Sequence, residues 1–176
     1  MNSLARRIQA LPPSCGPVRL VAVDGPAGSG KTTFAGRLGA ALGCQVIHSD
    51  EFPVHWDDGP GAWFRLLDEQ VLQPLRHGRP AGFRRYDWVR ERYADQVAVP
   101  AAPVLVVEGV GTARRSAARL LAFTVWVEAP EAVRLRRVLD RDGPELEPRW
   151  RQWFAAERAW FAADRTRERA DLVVET

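Results

Sequence analysis

The sequence predicts an α/β fold with a five-stranded, mostly parallel sheet and helices on both of its faces. Short apolar runs of strand length alternate with amphipathic segments of helix length along the chain. The first apolar run is continuous and stops at glycine, which is typical of a buried strand in a parallel sheet. The glycine-rich loop that follows leads into a helix. With 176 residues, 46% of them hydrophobic, the chain suits one compact domain, predicted here to span residues 1–176.

Five segments have the β-branched, apolar composition of buried strands, and each is bounded by glycine, proline or polar residues. They are residues 18–24, 45–48, 104–108, 123–128 and 171–175. Helical periodicity marks the segments between them, namely residues 30–42, 113–121, 131–140 and 148–164, together with an N-terminal stretch at 3–11. Aromatic side chains recur at helical spacing within 148–164 and predict a face packed into the core.

One stretch of about fifty residues, 52–102, interrupts this alternation. It contains a predicted helix near 62–75, no convincing buried strand, and many aromatic and acidic residues. Insertions of this kind commonly build the binding site that a sheet carries. We therefore expect residues 52–102 to bind the small-molecule acceptor of whatever reaction the sheet supports.

Composition and charge exclude several classes of protein. No run of about 18 apolar residues occurs and the N-terminus lacks the apolar stretch of a signal peptide, so we expect a cytoplasmic protein without a membrane partner. The formal net charge is only +3 and the basic residues alternate with acidic ones, so no nucleic-acid partner is expected. Cys15 and Cys44 lack the neighbours of a disulfide framework or a zinc site and are interpreted as packing residues. The oligomeric state is left open.

Residues 25–32, GPAGSGKT, match the pattern G-x-x-x-x-G-K-T in the context of a strand followed by a helix. In such a loop successive backbone N–H groups point at phosphate, and the helix N-terminus adds its positive end. Lys31, the single lysine among 25 basic residues, would reach the β- and γ-phosphates of ATP, and the Thr32 hydroxyl would bind Mg²⁺. The predicted nucleotide-binding residues of this P-loop fold are Gly25, Pro26, Ala27, Gly28, Ser29, Gly30, Lys31, Thr32 and Thr33.

Two acidic residues end predicted strands next to this loop. In parallel sheets ligands bind at the carboxyl ends of the strands, so Asp50 is placed to accept a proton from a substrate hydroxyl or to hold the metal. Glu108 follows four apolar residues and is placed to bind the metal through a water molecule. Asp50 could alternatively cap a helix or be solvated, and Glu108 could be an exposed acid at the end of its strand.

Arg134, Arg137 and Arg141 lie three and four residues apart and share one face of the helix that follows the fourth predicted strand. An arginine face can close over a triphosphate and stabilise the charge that develops on the transferred group. We therefore predict a lid over residues 130–146, with Arg134 binding the nucleotide and Arg137 and Arg141 acting in catalysis. A solvated charged face would have the same spacing.

The segments DGPAGSGKTT, HSDEF, RRYDW, VVEG and RRVLDRD occur in the order found in uridine kinases and related P-loop kinases, and the resemblance covers almost the whole chain. It implies ATP as phosphoryl donor and Asp50 as catalytic base. It also implies that Asp57 or Asp58 holds sugar hydroxyls and that Tyr86 and Asp87 contact the base.

Glu91 stands where uridine kinases have a histidine, which predicts poor use of uridine, and Trp88 adds an aromatic face for a flat acceptor. The function expected is ATP- and Mg²⁺-dependent phosphoryl transfer to a hydroxyl of a nucleoside or related sugar-bearing metabolite. The alternatives are a kinase of another acceptor, such as a nucleotide, sugar acid or antibiotic, and a regulatory protein that hydrolyses ATP slowly.

Overall fold

The fold was analysed in a computed structural model that describes all residues from Met1 to Thr176. The strands are β1 (Arg19–Asp24), β2 (Val46–His48), β3 (Ala81–Asp87), β4 (Arg92–Val99), β5 (Val104–Glu108), β6 (Phe123–Glu128) and β7 (Leu172–Glu175). The α-helices are α1 (Asn2–Gln9), α2 (Lys31–Leu42), α3 (Phe64–Leu67), α4 (Gln73–Arg76), α5 (Glu131–Asp142) and α6 (Glu147–Asp164).

Five strands form one parallel sheet in the order β2-β5-β1-β6-β7, which confirms the predicted fold class. β1 lies at the centre between β5 and β6. The chain passes from β1 to the edge strand β2, returns to β5, and then continues through β6 to β7 on the other side of β1. The crevice beside the central strand, at the carboxyl ends of the strands, is where ligands bind in sheets of this topology.

Apolar side chains of the sheet pack on both of its faces. Leu20 of β1 belongs to a core cluster that contains Leu67 and Leu72 of the helical segment 64–76. The next residue, Val21, belongs to a second cluster that contains Leu38 of α2. Successive strand residues point to opposite faces, so each face of the buried sheet needs its own layer of helices.

Residues 52–102 contain no strand as fully buried as those of the main sheet, in line with the prediction, but they do contain two mostly exposed strands that the sequence did not indicate. β3 and β4 form an antiparallel hairpin, in which Phe83 and Val99 are buried against the core of the main sheet. Most other side chains of the hairpin are exposed or half-buried, and arginines follow Phe83 directly. Because few of its positions are buried, the hairpin lacks the apolar run by which the other strands are recognised.

Two predicted helices differ from the structure at their ends. Residues 113–121 form only a short 3₁₀ helix, Arg115–Leu120. The predicted lid, 130–146, divides at Gly143, whose φ of 107° ends α5, and a 3₁₀ helix, Pro144–Leu146, leads into α6. None of the helices has the length and apolar composition needed to cross a membrane.

The segment 62–75 is helical largely as predicted. A π-helical stretch, Asp68–Leu72, joins α3 to α4 and adds a wider turn to an otherwise continuous helix. The aromatic stripe of α6 is only partly core. Trp150 and Phe154 are buried, whereas Trp153 is half-buried and faces a cavity.

Candidate active site

The loop between β1 and α2 wraps tightly against neighbouring backbone. A Cβ atom added to Gly25 would lie 2.0 Å from the carbonyl oxygen of Val127, and one added to Gly28 would lie 2.6 Å from that of Arg134. Both glycines also have φ angles, 142° and 76°, that L side chains rarely adopt. Only glycine fits at these two positions, because the loop is pressed onto β6 on one side and α5 on the other.

Lys31 begins α2 and lies over this loop. Its ammonium donates to the carbonyl oxygen of Pro26 at 3.0 Å, and the residue is only 7% exposed. The side chain is therefore folded back along the loop, with its charge held where the loop encloses a cavity. No other lysine in the chain can substitute for this charge.

A cavity of about 350 Å³ opens above the loop. It brings together residues that the sequence analysis singled out at widely separated positions. Those on its wall are Ala27, Gly28, Gly30, Lys31, Thr32, Thr33, Asp50, Trp88, Glu108, Arg137 and Arg141. Gly25, Pro26 and Ser29 belong to the loop but not to the cavity wall. The Ser29 side chain is fully buried, and its hydroxyl has no hydrogen-bond partner.

The polar floor of the cavity is built from β2, β5 and α2. The Thr32 hydroxyl donates to Oε2 of Glu108 at 3.2 Å, and the same oxygen lies 2.7 Å from Nδ1 of His48. His48 and Glu108 are register partners of neighbouring parallel strands, which is why the two side chains meet. The hydrogen bond to Glu108 raises the pKa of His48 above its ordinary value. His48 was missed in the sequence, although its place before Asp50 at the end of a strand was a usable signal.

Asp50 lies in the 3₁₀ turn that follows β2. It is exposed and lines the cavity. Its carboxylate accepts a hydrogen bond from the Ser49 hydroxyl at 3.2 Å. The indole N–H of Trp88 donates to its backbone carbonyl at 2.7 Å. The tip of the hairpin is thereby attached to the turn that carries the carboxylate.

The three predicted lid arginines have different surroundings. Arg137 donates to the backbone carbonyl of Gly28 at 3.2 Å and to the Thr176 hydroxyl at 2.9 Å. Arg141 forms a two-point ion pair with Asp142, at 2.7 and 2.8 Å. Arg134 is buried, is absent from the cavity wall and pairs with a carboxylate of α6, so a direct contact of Arg134 with a nucleotide does not match its position.

Most of the predicted acceptor-binding residues lie outside the cavity wall. Asp58 caps its own turn by accepting from the His55 N–H, and Asp57 is exposed beside it. Asp87 accepts two backbone N–H groups of the hairpin turn, and Glu91 lies exposed in that turn with a φ of 48°. Tyr86 packs edge-on against Trp88, which does line the cavity. Their predicted roles therefore gain no support from position.

Aromatic residues from the predicted acceptor-binding stretch 52–102, and from the stripe of α6 that was predicted to be core, form the far wall of the cavity. Phe52, Trp63, Trp150 and Trp153 line it together with Trp88. A neighbouring cleft of about 470 Å³ continues from it and shares Asp50, Trp88, Arg141, Trp150 and Trp153 with it, while adding Trp56. The polar phosphate-loop end is thus joined to a cleft walled by tryptophans from three separate segments.

Asp24, the last residue of β1, was not recognised in the sequence. It is fully buried, and its carboxylate accepts the backbone N–H groups of Gly25 at 2.7 Å, Gly111 at 2.9 Å and Ala113 at 2.7 Å. Burial raises the pKa of Asp24 to about 6, against the lowering effect of these three N–H donors. The side chain therefore joins the start of the phosphate loop to the loop that follows Glu108.

We expect Asp24→Ala to lower the free energy of unfolding by roughly 3 kcal/mol or more, because three buried N–H groups would lose their acceptor at about 1–3 kcal/mol each. Urea denaturation followed by circular dichroism measures this loss. Asp95→Ala, which removes an exposed aspartate of β4, serves as the control and should change the stability by no more than about 0.5 kcal/mol. A loss of similar size in both variants would contradict the bridging role.

A parallel α/β sheet whose central strand leads through G-x-x-x-x-G-K-T into a helix defines a P-loop nucleotide-binding protein. The sequence profile of the AAA domain family matches residues 21–158. The chain belongs to this family and is a uridine kinase-like P-loop kinase.

Individual relatives agree with this assignment. The uridine kinase of Borrelia duttonii (strain Ly) is 24% identical over 178 residues, which cover 89% of this chain and 86% of the relative. The structure of a possible uridine kinase from Bacillus stearothermophilus superposes with a TM-score of 0.72 at 21% identity, over 99% of this chain and 96% of that one. A candidate fructose transport system kinase from Silicibacter sp. TM1040 superposes with a TM-score of 0.77 at 22% identity, over 98% and 97% of the two chains.

Proposed function

We propose that this kinase transfers the γ-phosphoryl group of ATP, with Mg²⁺, to a hydroxyl group of an uncharged metabolite that carries a sugar and a flat ring, as a nucleoside does. One observation carries the proposal. The phosphate loop with Lys31, the exposed carboxylate of Asp50 and an aromatic wall all line one cavity. Phosphoryl donor, general base and acceptor could therefore meet there without any rearrangement of the sheet.

The residues at the loop end fit a nucleotide triphosphate. Lys31 and Arg137 bring cationic groups to the wall, and Arg141 lies on it in an ion pair with Asp142. The structure contains no cluster of three or more His, Cys, Asp or Glu side chains that could hold a metal by themselves. Mg²⁺ suits such a site, because it commonly takes one or two protein ligands and completes its shell with water and phosphate oxygens.

Thr32 would hold Mg²⁺ directly, with Glu108 and Asp50 as the nearby carboxylates. When bound, the ion neutralises charge on the phosphate oxygens. The hydrogen bond from Thr32 to Glu108 already aligns the hydroxyl with a carboxylate at the cavity floor. His48, on the other side of Glu108, orients that carboxylate from a neighbouring strand.

The chain's own residues supply the remaining chemistry. Asp50 accepts the proton of the attacking hydroxyl, because its carboxylate faces the cavity and has only the Ser49 hydroxyl as a side-chain partner. Lys31 and Arg137 stabilise the negative charge that develops on the transferred group.

The charges of the acceptor end favour a neutral ligand. Arg141 is neutralised by Asp142, and Asp50 adds a negative charge that would repel a phosphate or carboxylate group on the acceptor. The indole of Trp88, which is 41% exposed, suits a flat ring, since stacking on an aromatic side chain contributes about 1–3 kcal/mol per base. We accordingly assign acceptor binding to the walls contributed by residues 52–102 and by α6, within a single kinase domain of residues 1–176.

The test is release of ADP from Mg·ATP by the purified protein with a panel of acceptors. The panel contains nucleosides, hexoses, nucleoside monophosphates and sugar acids. We expect turnover with at least one uncharged nucleoside at a kcat/KM of about 10⁴ M⁻¹s⁻¹ or more, and much less with its 5′-monophosphate. Slow ADP release that no acceptor accelerates would instead indicate a regulatory ATPase. A preference for the monophosphate would contradict the charge argument.

A further inference from the structure

Both backbone groups of Ala27, in the middle of the phosphate loop, are bound by side chains from distant helices. The N–H of Ala27 donates to Oε2 of Glu157 at 2.9 Å. Its carbonyl oxygen accepts from Nη1 of Arg134 at 3.0 Å. The same Arg134 nitrogen donates to Oε1 of Glu157 at 2.7 Å. The two side chains thus form an ion pair that holds Ala27 on both sides, through the N–H of one peptide group and the C=O of the next.

The ion pair is removed from water. Glu157 is 1% exposed and Arg134 is 7% exposed. Burial raises the pKa of Glu157, against the lowering effects of the Ala27 N–H and of Arg134. Nε of Arg134 has no hydrogen-bond partner. A buried pair that is not fully hydrogen-bonded contributes little to stability, because desolvation offsets the attraction between its charges. Stability alone does not account for this arrangement.

The pair also joins the loop to both walls of the cavity. Arg134 belongs to α5, which carries Arg137, and Glu157 belongs to α6. The indole N–H of Trp153, a residue of the aromatic wall, donates to Oε2 of Glu157 at 3.1 Å. One carboxylate therefore contacts the phosphate loop, the arginine helix and the acceptor wall.

We propose that Arg134 and Glu157 are positioning residues that hold the backbone N–H and C=O of Ala27 and thereby preform the phosphate loop for its nucleotide. The inference rests on the proposed nucleotide binding. A loop that is already ordered loses less conformational freedom on binding, so removing the pair weakens nucleotide affinity even where the fold is retained. Loss of the hydrogen bond to an amide costs enough to lower affinity about 5- to 100-fold.

Single substitutions would leave a buried charge without its partner and could unfold the protein, so the experiment uses double variants. R134M/E157M removes both charges and leaves Ala27 without side-chain partners. R134M/E157Q also removes both charges, but its amide oxygen can still accept the Ala27 N–H. Arg158→Met is the control, because Arg158 pairs with Glu131 at 2.6 Å and so joins the same two helices without contacting the loop.

Two measurements are made on each protein. Hydrogen exchange of the ligand-free protein reports on the amides of residues 25–30, and calorimetry gives the affinity for ADP with Mg²⁺. We expect R134M/E157M to unfold cooperatively, to exchange the loop amides at least about tenfold faster and to bind ADP about 5- to 100-fold more weakly. R134M/E157Q should lie closer to the parent in both respects, and Arg158→Met should match the parent.

The outcomes separate this inference from the proposed function. A parent protein that fails to bind ADP with Mg²⁺ would overturn the proposed function, and the inference with it. A parent that binds ADP while R134M/E157M binds it equally well, with unchanged exchange at residues 25–30, would overturn only the positioning role. Equal losses in R134M/E157M and R134M/E157Q would also overturn it, because the acceptor for the Ala27 N–H would then be irrelevant.

Discussion

Replacing Lys31 with alanine should abolish measurable phosphoryl transfer while leaving the fold intact. The ammonium lies along the phosphate loop, 3.0 Å from the Pro26 carbonyl, and is the only lysine charge in the chain. Loss of a single preorganised donor to developing charge typically lowers kcat about 10²- to 10³-fold, and here a full positive charge is lost as well. Steady-state ADP release under saturating ATP measures the effect.

The matched control is Arg37→Ala, which removes an exposed cation from the same helix. It should retain the parent's turnover, and both variants should keep the parent's circular dichroism spectrum. Turnover of Lys31→Ala within about threefold of the parent would refute the role assigned to the lysine, because the loss expected for one donor is at least about 10²-fold.

Replacing Asp50 with asparagine should lower kcat about 10²- to 10⁴-fold, the loss expected for a positioned general base. The substitution keeps the backbone carbonyl that Trp88 binds, and it keeps an oxygen that can accept from the Ser49 hydroxyl. The geometry of the turn is therefore preserved while the proton-accepting charge is lost. Affinity for ADP with Mg²⁺ should change little.

Asp50 could alternatively act as a metal ligand, and one measurement separates the two roles. A base is needed only in the chemical step, whereas a ligand also contributes to binding of the Mg²⁺ complex. If Asp50→Asn lowers the affinity for ADP only when Mg²⁺ is present, and kcat survives at high Mg²⁺ concentration, the residue is a metal ligand. Glu51→Gln, in the same turn but absent from the cavity wall, provides the control.

The parts of the fold that depend on local pattern were accessible from the sequence. The five parallel strands are buried on both faces and so appear as continuous apolar runs, and the phosphate loop has a spacing that few other structures require. The hairpin β3–β4 escaped prediction because only Phe83 and Val99 are buried among its residues. Without an apolar run, its strand character depends on pairing with a partner strand.

For the candidate site, the sequence supplied the chemistry of individual residues and the fold decided which of them meet. Lys31, Thr32, Asp50 and Glu108 could be proposed because each follows a recognisable strand or loop. Roles for Asp57, Asp58, Tyr86, Asp87 and Glu91 were proposed from the composition of residues 52–102 and from a family resemblance. The hairpin and the turn before it place these residues away from the cavity wall. Their positions depend on how residues 52–102 fold back on the sheet.

What the sequence alone determined is the class of the fold and the location of its phosphate loop, since both follow from short-range composition and spacing. Tertiary structure decided the rest. It pairs Arg134 with a buried carboxylate of α6, places Glu157 against a loop 130 residues away, and gives Asp24 two backbone partners beyond β5. The physical reason is that a buried charge or N–H must find a partner wherever the fold brings one near, and such long-range pairings leave no periodicity in the chain.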